Sequence, residues 1–324
     1  MKRFLSVFFS IFLIIATFAA CAKSGKAETD SNSQPNEEKK LSIVCSIFPQ
    51  YDFCKEFAGE KVETELLLKS KVDLHNYKPS AEDILKIKNC DLFIDIGGES
   101  DEWADDVLES IKDKNLSVLS LIDVVDAKDE ETLEGMEEEE HDGEDEEEHE
   151  KDEHVWTSLK NARLIVEAIA KKLCELDSKN AEEYKANAET YLSKLSKLEE
   201  EYSKTVQNAK QKTLVFADRF PFRYLADDYS LECFAAFSGC SAETQASFET
   251  IKFLAEKVKE KNLSYVLKID GSDGAVAETV ASQSGAKIRT LNSLQSVSED
   301  EINAGATYLS IMKDNLEVLK EVLG

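Results

Sequence analysis

Residues 181–209 read AEEYKANAETYLSKLSKLEEEYSKTVQNA and contain neither glycine nor proline. Their apolar side chains recur at intervals of three, four and seven residues, as they do on one face of an α-helix. The recurring residues are Tyr184, Tyr191, Leu195, Leu198 and Tyr202. At about 1.5 Å per residue such a helix is roughly 40 Å long, and it holds too few heptads for an independent coiled coil. We therefore predict a rigid helix that joins two lobes.

On the N-terminal side of this helix, strand-like and helix-like segments alternate. Leu41–Phe48 is a β-branched apolar run that ends before Pro49, which is typical of a buried strand. Further strands are predicted at 62–68, 90–96 and 116–121, with helices at 51–58, 80–88, 102–111 and 158–176. This alternation indicates a parallel α/β sheet. We assign residues 41–180 to the first lobe, including an acidic loop at 127–153.

The same alternation resumes after the long helix. Strands are predicted at 213–217, 231–237, 265–269 and 287–291, with helices at 222–227, 247–260, 274–284 and 303–323. We assign 181–210 to the linking helix and 211–324 to a second α/β lobe. The predicted fold class is therefore α/β, with two lobes of parallel sheet joined by one long helix. Because such folds bind ligands at the carboxyl ends of their strands, we expect a site in the cleft between the lobes.

The net charge of the 324-residue chain is -27, and more than half of it lies in one segment. Residues 129–153 hold 17 acidic residues and one lysine, which gives a local charge of -16 and leaves -11 for the rest. A surface this negative argues against nucleic acid and against a basic patch that binds membranes. His141 and His149 lie inside the acidic segment, so we predict an auxiliary loop that collects divalent cations loosely. A merely solvated loop is the alternative.

The first 40 residues predict export and anchoring. Lys2 and Arg3 precede a short apolar run that ends in Ala-Ala-Cys21, a pattern typical of a secretory signal. The cysteine after two alanines resembles the bacterial lipoprotein cleavage site, so we predict a signal peptide at 1–20 and lipidation of Cys21. An ordinary cleaved signal with an incidental cysteine is the alternative. Residues 21–40 are polar and predict a flexible tether on the outer face of the cytoplasmic membrane, or in the periplasm.

Six cysteines remain after Cys21. None of them forms a Cys-x-x-Cys pair, so a thiolate zinc site of the usual spacing is not predicted. An exported location permits disulfides, but six cysteines allow 15 full pairings, and the sequence does not choose among them.

Two of the four histidines lie in loops that precede predicted helices. His75 lies in DLHNYKPS, residues 73–80, and His154 lies in DEHVWTSL, residues 152–159. One loop histidine is usually an ordinary surface residue, but two of them flanked by carboxylates suggest a divalent-metal site. Imidazole suits zinc, copper, nickel and iron, and the nearby carboxylates extend the choice towards manganese.

These two segments resemble motifs of the solute-binding lipoproteins of metal-ion ABC transporters, in particular the zinc-uptake group. The family segment H-x-Y-x-P-S/T-x-x-D matches His75 to Asp83, and D-x-H-V-W-x-S matches Asp152 to Ser158. An acidic, histidine-bearing insertion before the second motif marks the zinc members. The resemblance implies a non-catalytic, monomeric protein that captures Zn²⁺ with His75 and His154 and delivers it to an ABC permease.

The second lobe departs from the family pattern. A strict alignment places Arg219 where the family usually has a histidine or glutamate ligand, and a guanidinium cannot coordinate a cation. We predict Asp218 as its substitute. The fourth ligand of the family, often an aspartate, corresponds to Asn292, whose amide oxygen is a weak zinc ligand. Glu243 is a further candidate carboxylate, with a helix cap as its alternative role.

Two other readings of the chain compete with zinc capture. A hydrolytic metalloenzyme would carry His-Glu-x-x-His or Gly-x-Ser-x-Gly, and the sequence has neither, so we predict that it is not an enzyme. A manganese-binding member of the same family, or an adhesin-like surface lipoprotein, is the second alternative. Manganese prefers oxygen ligands, and the choice of Asp218 and Asn292 keeps that alternative open.

Overall fold

A computed structural model describes residues 39–69, 74–111, 115–137, 151–241, 245–295 and 297–324. Several predictions lie outside the described residues: the signal peptide, nearly all of the tether, Cys21, His141, His149 and Glu243. Residues Lys40–Gly324 group into one unit by their mutual contacts. No helix in the described ranges is long and apolar enough to cross a membrane.

The first lobe is built on a four-stranded parallel sheet with the order β2-β1-β3-β4. Its strands are β1 Leu41–Cys45, β2 Val62–Leu66, β3 Leu92–Asp95 and β4 Ser117–Ser120, and its helices are α1 Phe48–Ala58, α2 Ala81–Asn89 and α3 Glu102–Ile111. Helix α2 begins where the sequence predicts, because Ser80 caps it. The Ser80 hydroxyl accepts from Asp83 N at 3.2 Å, and Asp83 Oδ2 accepts from Ser80 N at 3.0 Å, which is a capping box.

Two helices follow the acidic segment, α4 Leu159–Leu176 and α5 Ala181–Gln207. Helix α5 has 27 residues, and its buried side chains follow the predicted period: Tyr184, Ala188, Tyr191, Leu195, Leu198, Tyr202 and Val206. It packs against α4 and α1, and also against the last helix of the chain. Helix α5 therefore contacts elements of both lobes, as a linking helix must.

The second lobe repeats the architecture of the first, with a four-stranded parallel sheet in the order β6-β5-β7-β8. Its strands are β5 Thr213–Arg219, β6 Glu232–Phe237, β7 Tyr265–Ile269 and β8 Lys287–Leu291, and its helices are α6 Arg223–Tyr229, α7 Phe248–Glu260, α8 Ala275–Ser284, α9 Glu299–Asn303 and α10 Tyr308–Leu323. The predicted fold class, two parallel α/β lobes joined by one long helix, is confirmed.

The C-terminal helix differs from the prediction of one segment over 303–323. The helix begins at Tyr308 instead, and a short helix that the sequence did not predict, α9, ends at Asn303. Four residues lie between the two helices, and among them Gly305 has a φ of +97°, a left-handed conformation that breaks a helix and favours glycine. Thr307 then caps α10, since its hydroxyl accepts from Ser310 N at 3.1 Å.

The two lobes share one apolar core that runs from the first sheet through α4 and α5 into the second sheet. Buried hydrogen bonds also cross between them. Trp156 Nε1 donates to the Ser293 carbonyl at 2.9 Å, and Tyr308 Oη donates to the Trp156 carbonyl at 2.7 Å. Tyr224 Oη donates to the Asp152 carbonyl at 2.6 Å. These bonds fix the backbone on either side of His154, so the cleft around it is held rigidly.

Candidate metal centre

Four side chains meet in the cleft between the lobes. One ligand atom from each of His75, Glu153, His154 and Cys240 lies within 4.8 Å of those of the other three. His75 lies in the loop after β2, the Glu153–His154 pair immediately precedes α4, and Cys240 lies in the loop after β6. The group therefore forms where loops at the carboxyl ends of strands from both sheets converge, as expected for an α/β site.

His75 is oriented by Ser100 and Glu153. Its Nδ1 lies 2.6 Å from Ser100 Oγ and 3.2 Å from Glu153 Oε1. The Ser100 hydroxyl has one hydrogen and donates it to Glu153, so it accepts from Nδ1–H of His75. In a neutral imidazole this tautomer places the lone pair on Nε2, which is the nitrogen that can bind a metal.

His154 is oriented in the same way by Asp152. Its Nδ1 lies 3.1 Å from Asp152 Oδ1, and its backbone N–H donates to the same oxygen at 2.9 Å. The side chain is fully buried, and its Nε2 has no hydrogen-bond partner among the described residues. Leaving such an atom unsatisfied costs about 1–3 kcal/mol. A cation bound at Nε2 would remove that cost, and the Asp–His pair is the usual support of a metal-binding imidazole.

Glu153 supplies the carboxylate at the centre of the group. It is fully buried, Oε2 accepts from Ser100 N at 3.2 Å, and Oε1 lies 3.7 Å from Cys240 Sγ. A Cβ at Gly98 would collide with this carboxylate, so only glycine lets the backbone approach so closely. The sequence identified the acidic segment but not Glu153 as a site residue, because it is one of 17 acidic residues there.

The charges of Glu153 and His154 depend on their neighbours. Burial raises the pKa of Glu153, but the hydrogen bond with His75 and the charge of His154 outweigh burial and hold it below its ordinary value. Burial lowers the pKa of His154, but the hydrogen bond and charge of Asp152, with the charge of Glu153, outweigh burial and raise it. The site therefore attracts positive charge, and a cation that binds there displaces protons.

Cys240 is the one member of the group that comes from the second lobe. Its backbone N–H donates to Glu130 Oε1 at 3.1 Å, and its thiol donates to Glu153. Burial raises the pKa of Cys240 well above its ordinary value, and the charges of Glu153 and Glu130 raise it further. Reasoning from sequence missed this residue because it belongs to no Cys-x-x-Cys pair. The only available signal was a cysteine in a loop directly after a predicted strand.

The structure places the two second-lobe residues that the sequence proposed as ligands, Asp218 and Asn292, against backbone amides. Asp218 ends up with both oxygens on backbone amides: Oδ1 accepts from Arg219 N at 2.9 Å and Oδ2 from Ile269 N at 3.2 Å. Asn292 Oδ1 accepts from Leu294 N at 2.8 Å. These contacts hold β5 against β7 and shape the turn after β8.

Arg219, which the resemblance aligned with a ligand of the family, contacts the loop that carries the thiol. Its Nη1 donates to the Ser241 carbonyl at 3.3 Å, on the residue after Cys240.

The paired α/β lobes, the long helix and the cleft between them define a two-lobed solute-binding protein. The sequence model of one family, zinc-uptake complex component A (ZnuA), described as periplasmic, matches residues 43–322. The chain belongs to this family.

Named relatives agree with that assignment. The chain is 33% identical over 294 residues to the zinc-binding lipoprotein AdcA of Streptococcus pneumoniae (strain ATCC BAA-255 / R6), covering 90% of this chain and 57% of that protein. It is 32% identical over 316 residues to the high-affinity zinc uptake system protein ZnuA of Bacillus subtilis (strain 168), covering 97% of each. The chain thus spans little more than half the length of the AdcA proteins that it matches.

Solved structures share the fold. The Zn(II)-bound ZnuA-like domain of S. pneumoniae AdcA superposes with a TM-score of 0.71 at 30% identity, over 88% of this chain and 99% of that one. The metal-dependent lipoprotein YcdH of B. subtilis superposes with a TM-score of 0.73 at 29% identity, over 88% of this chain and 99% of that one.

Proposed function

We propose that the chain is the extracytoplasmic solute-binding component of a zinc ABC transporter, which captures Zn²⁺ in the cleft and delivers it to a membrane permease. The observation that carries the proposal is the pair formed by half-buried His75 and fully buried His154, whose rings lie 5.5 Å apart between centroids. Ser100 holds Nδ1 of His75 and Asp152 holds Nδ1 of His154, which leaves Nε2 of each ring available to a metal. Relatives named for zinc binding and zinc uptake support the choice of ion.

The donors in the cleft suit zinc as cargo. His75 and His154 supply nitrogen and Glu153 supplies oxygen, and zinc accepts both types of ligand. We leave Asp218 out of the ligand set because, among the described residues, it does not belong to the group of converging donors. We leave Asn292 out because its amide oxygen, a weak zinc ligand, already accepts from Leu294 N. Without these two oxygen donors, the argument for manganese loses its basis, since manganese favours oxygen over nitrogen.

The rigidity of the cleft supports binding without catalysis. Ser100 and Asp152 orient the two imidazoles before any ion arrives, so little ordering cost is paid on binding. The hydrogen bonds through Trp156 and Tyr224 hold the lobes together across the site. We therefore infer small lobe movements during capture and release, no chemical conversion of the ion, and a monomer that docks on its permease.

Location follows from the same proposal. The Ala-Ala-Cys21 segment and the relatives described as periplasmic or as lipoproteins support a protein outside the cytoplasmic membrane, held by lipid at Cys21. The acidic segment with His141 and His149 would collect ions loosely near the cleft, because its last residue is Glu153, which adjoins His154.

Titration calorimetry of the metal-stripped protein, with a competing chelator, tests the proposal. One zinc ion should bind tightly per chain. Removing a residue that only supports a metal ligand lowers metal affinity by about 10–100-fold. His75→Ala and His154→Ala remove the ligands themselves, so each should lower zinc affinity by at least about 100-fold. His141→Ala and His149→Ala are the matched controls and should keep the tight site. The proposal fails if His75→Ala and His154→Ala both bind zinc as tightly as the parent.

A further inference from the structure

Cys240 differs from the other described cysteines in its surroundings. The structure has six free cysteines in its described ranges. Five of them belong to an apolar cluster or pack against one: Cys45, Cys54, Cys90, Cys174 and Cys233. Cys240 does neither among the described residues and lies against the Glu153 carboxylate instead. The ordinary role of a buried thiol, as a small apolar side chain, therefore accounts for five cysteines and not for Cys240.

The loop that carries Cys240 is fixed on both sides. Glu130 accepts the Cys240 backbone N–H at 3.1 Å, and Arg219 donates to the Ser241 carbonyl at 3.3 Å. A Cβ at Gly239 would lie 2.9 Å from His154 Cε1, so a glycine is needed where this loop passes the imidazole. Groups from both lobes therefore hold the thiol beside the two histidines, and a metal ligand requires that kind of support.

The thiol completes a set of four donors. Two imidazole nitrogens, one carboxylate oxygen and one sulfur are the number and kinds of ligand that a closed tetrahedral zinc site uses. Soft thiolate favours zinc, whereas manganese favours hard oxygen donors. Fully buried His154 Nε2, which has no hydrogen-bond partner in the described part of the chain, lies in the same group and independently indicates a cation there.

We propose that Cys240 is a thiolate ligand of the captured ion and that it sets the preference of this protein for zinc over manganese. The inference rests on the proposed function and names the second-lobe ligand of the same site. On binding, the S–H bond of Cys240 breaks, a zinc–sulfur bond forms, and the proton leaves to solvent, so no electron is transferred. Arg219, at the position where the resemblance expects a ligand, holds the loop that supplies this one.

Substitution of Co²⁺ for zinc detects a metal–sulfur bond directly by absorption spectroscopy. The metal-stripped protein loaded with Co²⁺ should show the near-ultraviolet charge-transfer band of a cobalt–thiolate bond. Cys240→Ser should lose that band and keep the visible bands of bound cobalt. Cys233→Ser is the matched control, because Cys233 is also half-buried in the second lobe but packs against the apolar core. It should keep the band.

Competition between Zn²⁺ and Mn²⁺ measures the preference of the site for zinc. Cys240→Ser should weaken zinc binding by at least about 100-fold, which is the upper end of the loss seen when a residue that only supports a metal ligand is changed. Manganese binding should change by less than about tenfold, since manganese gains little from sulfur. The zinc-to-manganese affinity ratio should therefore fall by at least about tenfold in Cys240→Ser and stay unchanged in Cys233→Ser.

The outcomes separate this inference from the proposed function. If His75→Ala and His154→Ala lose zinc while Cys240→Ser keeps both its zinc affinity and its ion preference, the thiolate is refuted and zinc capture stands. If the parent itself binds no zinc tightly, the proposed function fails. Should Cys240→Ser not fold, alkylation of the parent decides: zinc should slow labelling at Cys240 at least about tenfold and leave labelling at Cys233 unchanged. Equal labelling of Cys240 with and without zinc overturns the proposal.

Discussion

Replacing Asp152 by asparagine changes the support of His154 while preserving its shape. The Asp152 Oδ1 atom accepts from the His154 backbone N–H at 2.9 Å and lies 3.1 Å from His154 Nδ1. An asparagine oxygen can accept both hydrogen bonds, so the ring stays in place. What is lost is the negative charge, which makes the imidazole a more basic metal ligand and raises the pKa of His154.

The expected loss of zinc affinity follows from the contact of Asp152 with the Nδ1 side of His154. Carboxylates behind a metal-binding histidine are worth about 10–100-fold in metal affinity, which is about 1.4–2.8 kcal/mol. The Asp152 side chain is only 3% exposed, so water screens its charge little. We therefore expect an affinity loss in the upper half of that range. The same change lowers the pKa of His154, so proton competition with zinc should set in at a lower pH in Asp152→Asn than in the parent.

Chelator competition at pH 8, above the ordinary histidine pKa of about 6.5, measures the affinity loss with that second effect reduced. Loss of the Cys240 proton is common to the parent and the variant and therefore does not enter the comparison. Asp228→Asn is the matched control. Asp228 Oδ2 accepts from Ser158 Oγ at 2.6 Å, so it is a carboxylate near the same turn that does not contact a histidine. It should leave zinc affinity within about twofold. If Asp152→Asn also stays within twofold of the parent, Asp152 does not support a ligand, and the assignment of His154 loses its main geometric argument.

Three further predictions concern the cleft and its scaffold. Gly98→Ala should weaken zinc binding by about tenfold or more, because its Cβ would displace the Glu153 carboxylate; unchanged affinity in a chelator titration would contradict that. Ser80→Ala should lower the free energy of unfolding by about 0.5–2 kcal/mol in urea, since it removes a helix cap, with zinc affinity unaltered. Zinc binding should weaken as pH falls, beginning above the ordinary histidine pKa of 6.5, because the pKa of His154 is raised. The stability of the metal-free protein should change in the opposite direction. The stabilisation by protonated His154 is complete below pH 6.5 and is lost as pH rises through the raised pKa. A zinc affinity that does not change between pH 8 and pH 5 would refute the pH prediction.

Much of the fold could be predicted from local patterns. The 3.6-residue period of helix α5 and the absence of glycine and proline decide that segment before any packing is considered. Apolar β-branched runs such as Leu41–Cys45 decide the strands in the same way. The last helix was predicted to begin at residue 303 and begins at Tyr308, because the left-handed backbone of Gly305 that precedes it becomes evident only in the folded chain.

The site residues likewise divide into those that local sequence patterns predict and those that depend on the folded chain. His75 and His154 could be singled out because each lies in a short motif next to a helix start. Glu153 could not, because it occupies an unspecified position of the second motif and is one of 17 acidic residues in the segment. Asp218 was chosen by its place in the alignment, and its hydrogen bonds with Arg219 N and Ile269 N could not be foreseen, because β7 reaches it only through sheet pairing.

By itself, the sequence determined the two α/β lobes, the long helix and the two histidines, since each depends on residues close together in the chain. Only the tertiary structure decided which second-lobe side chain faces them. Cys240 meets His154 because β5, β6 and the Glu130 contact bring its loop across the cleft. That proximity is a product of packing between segments far apart in sequence, and no local pattern around Cys240 records it.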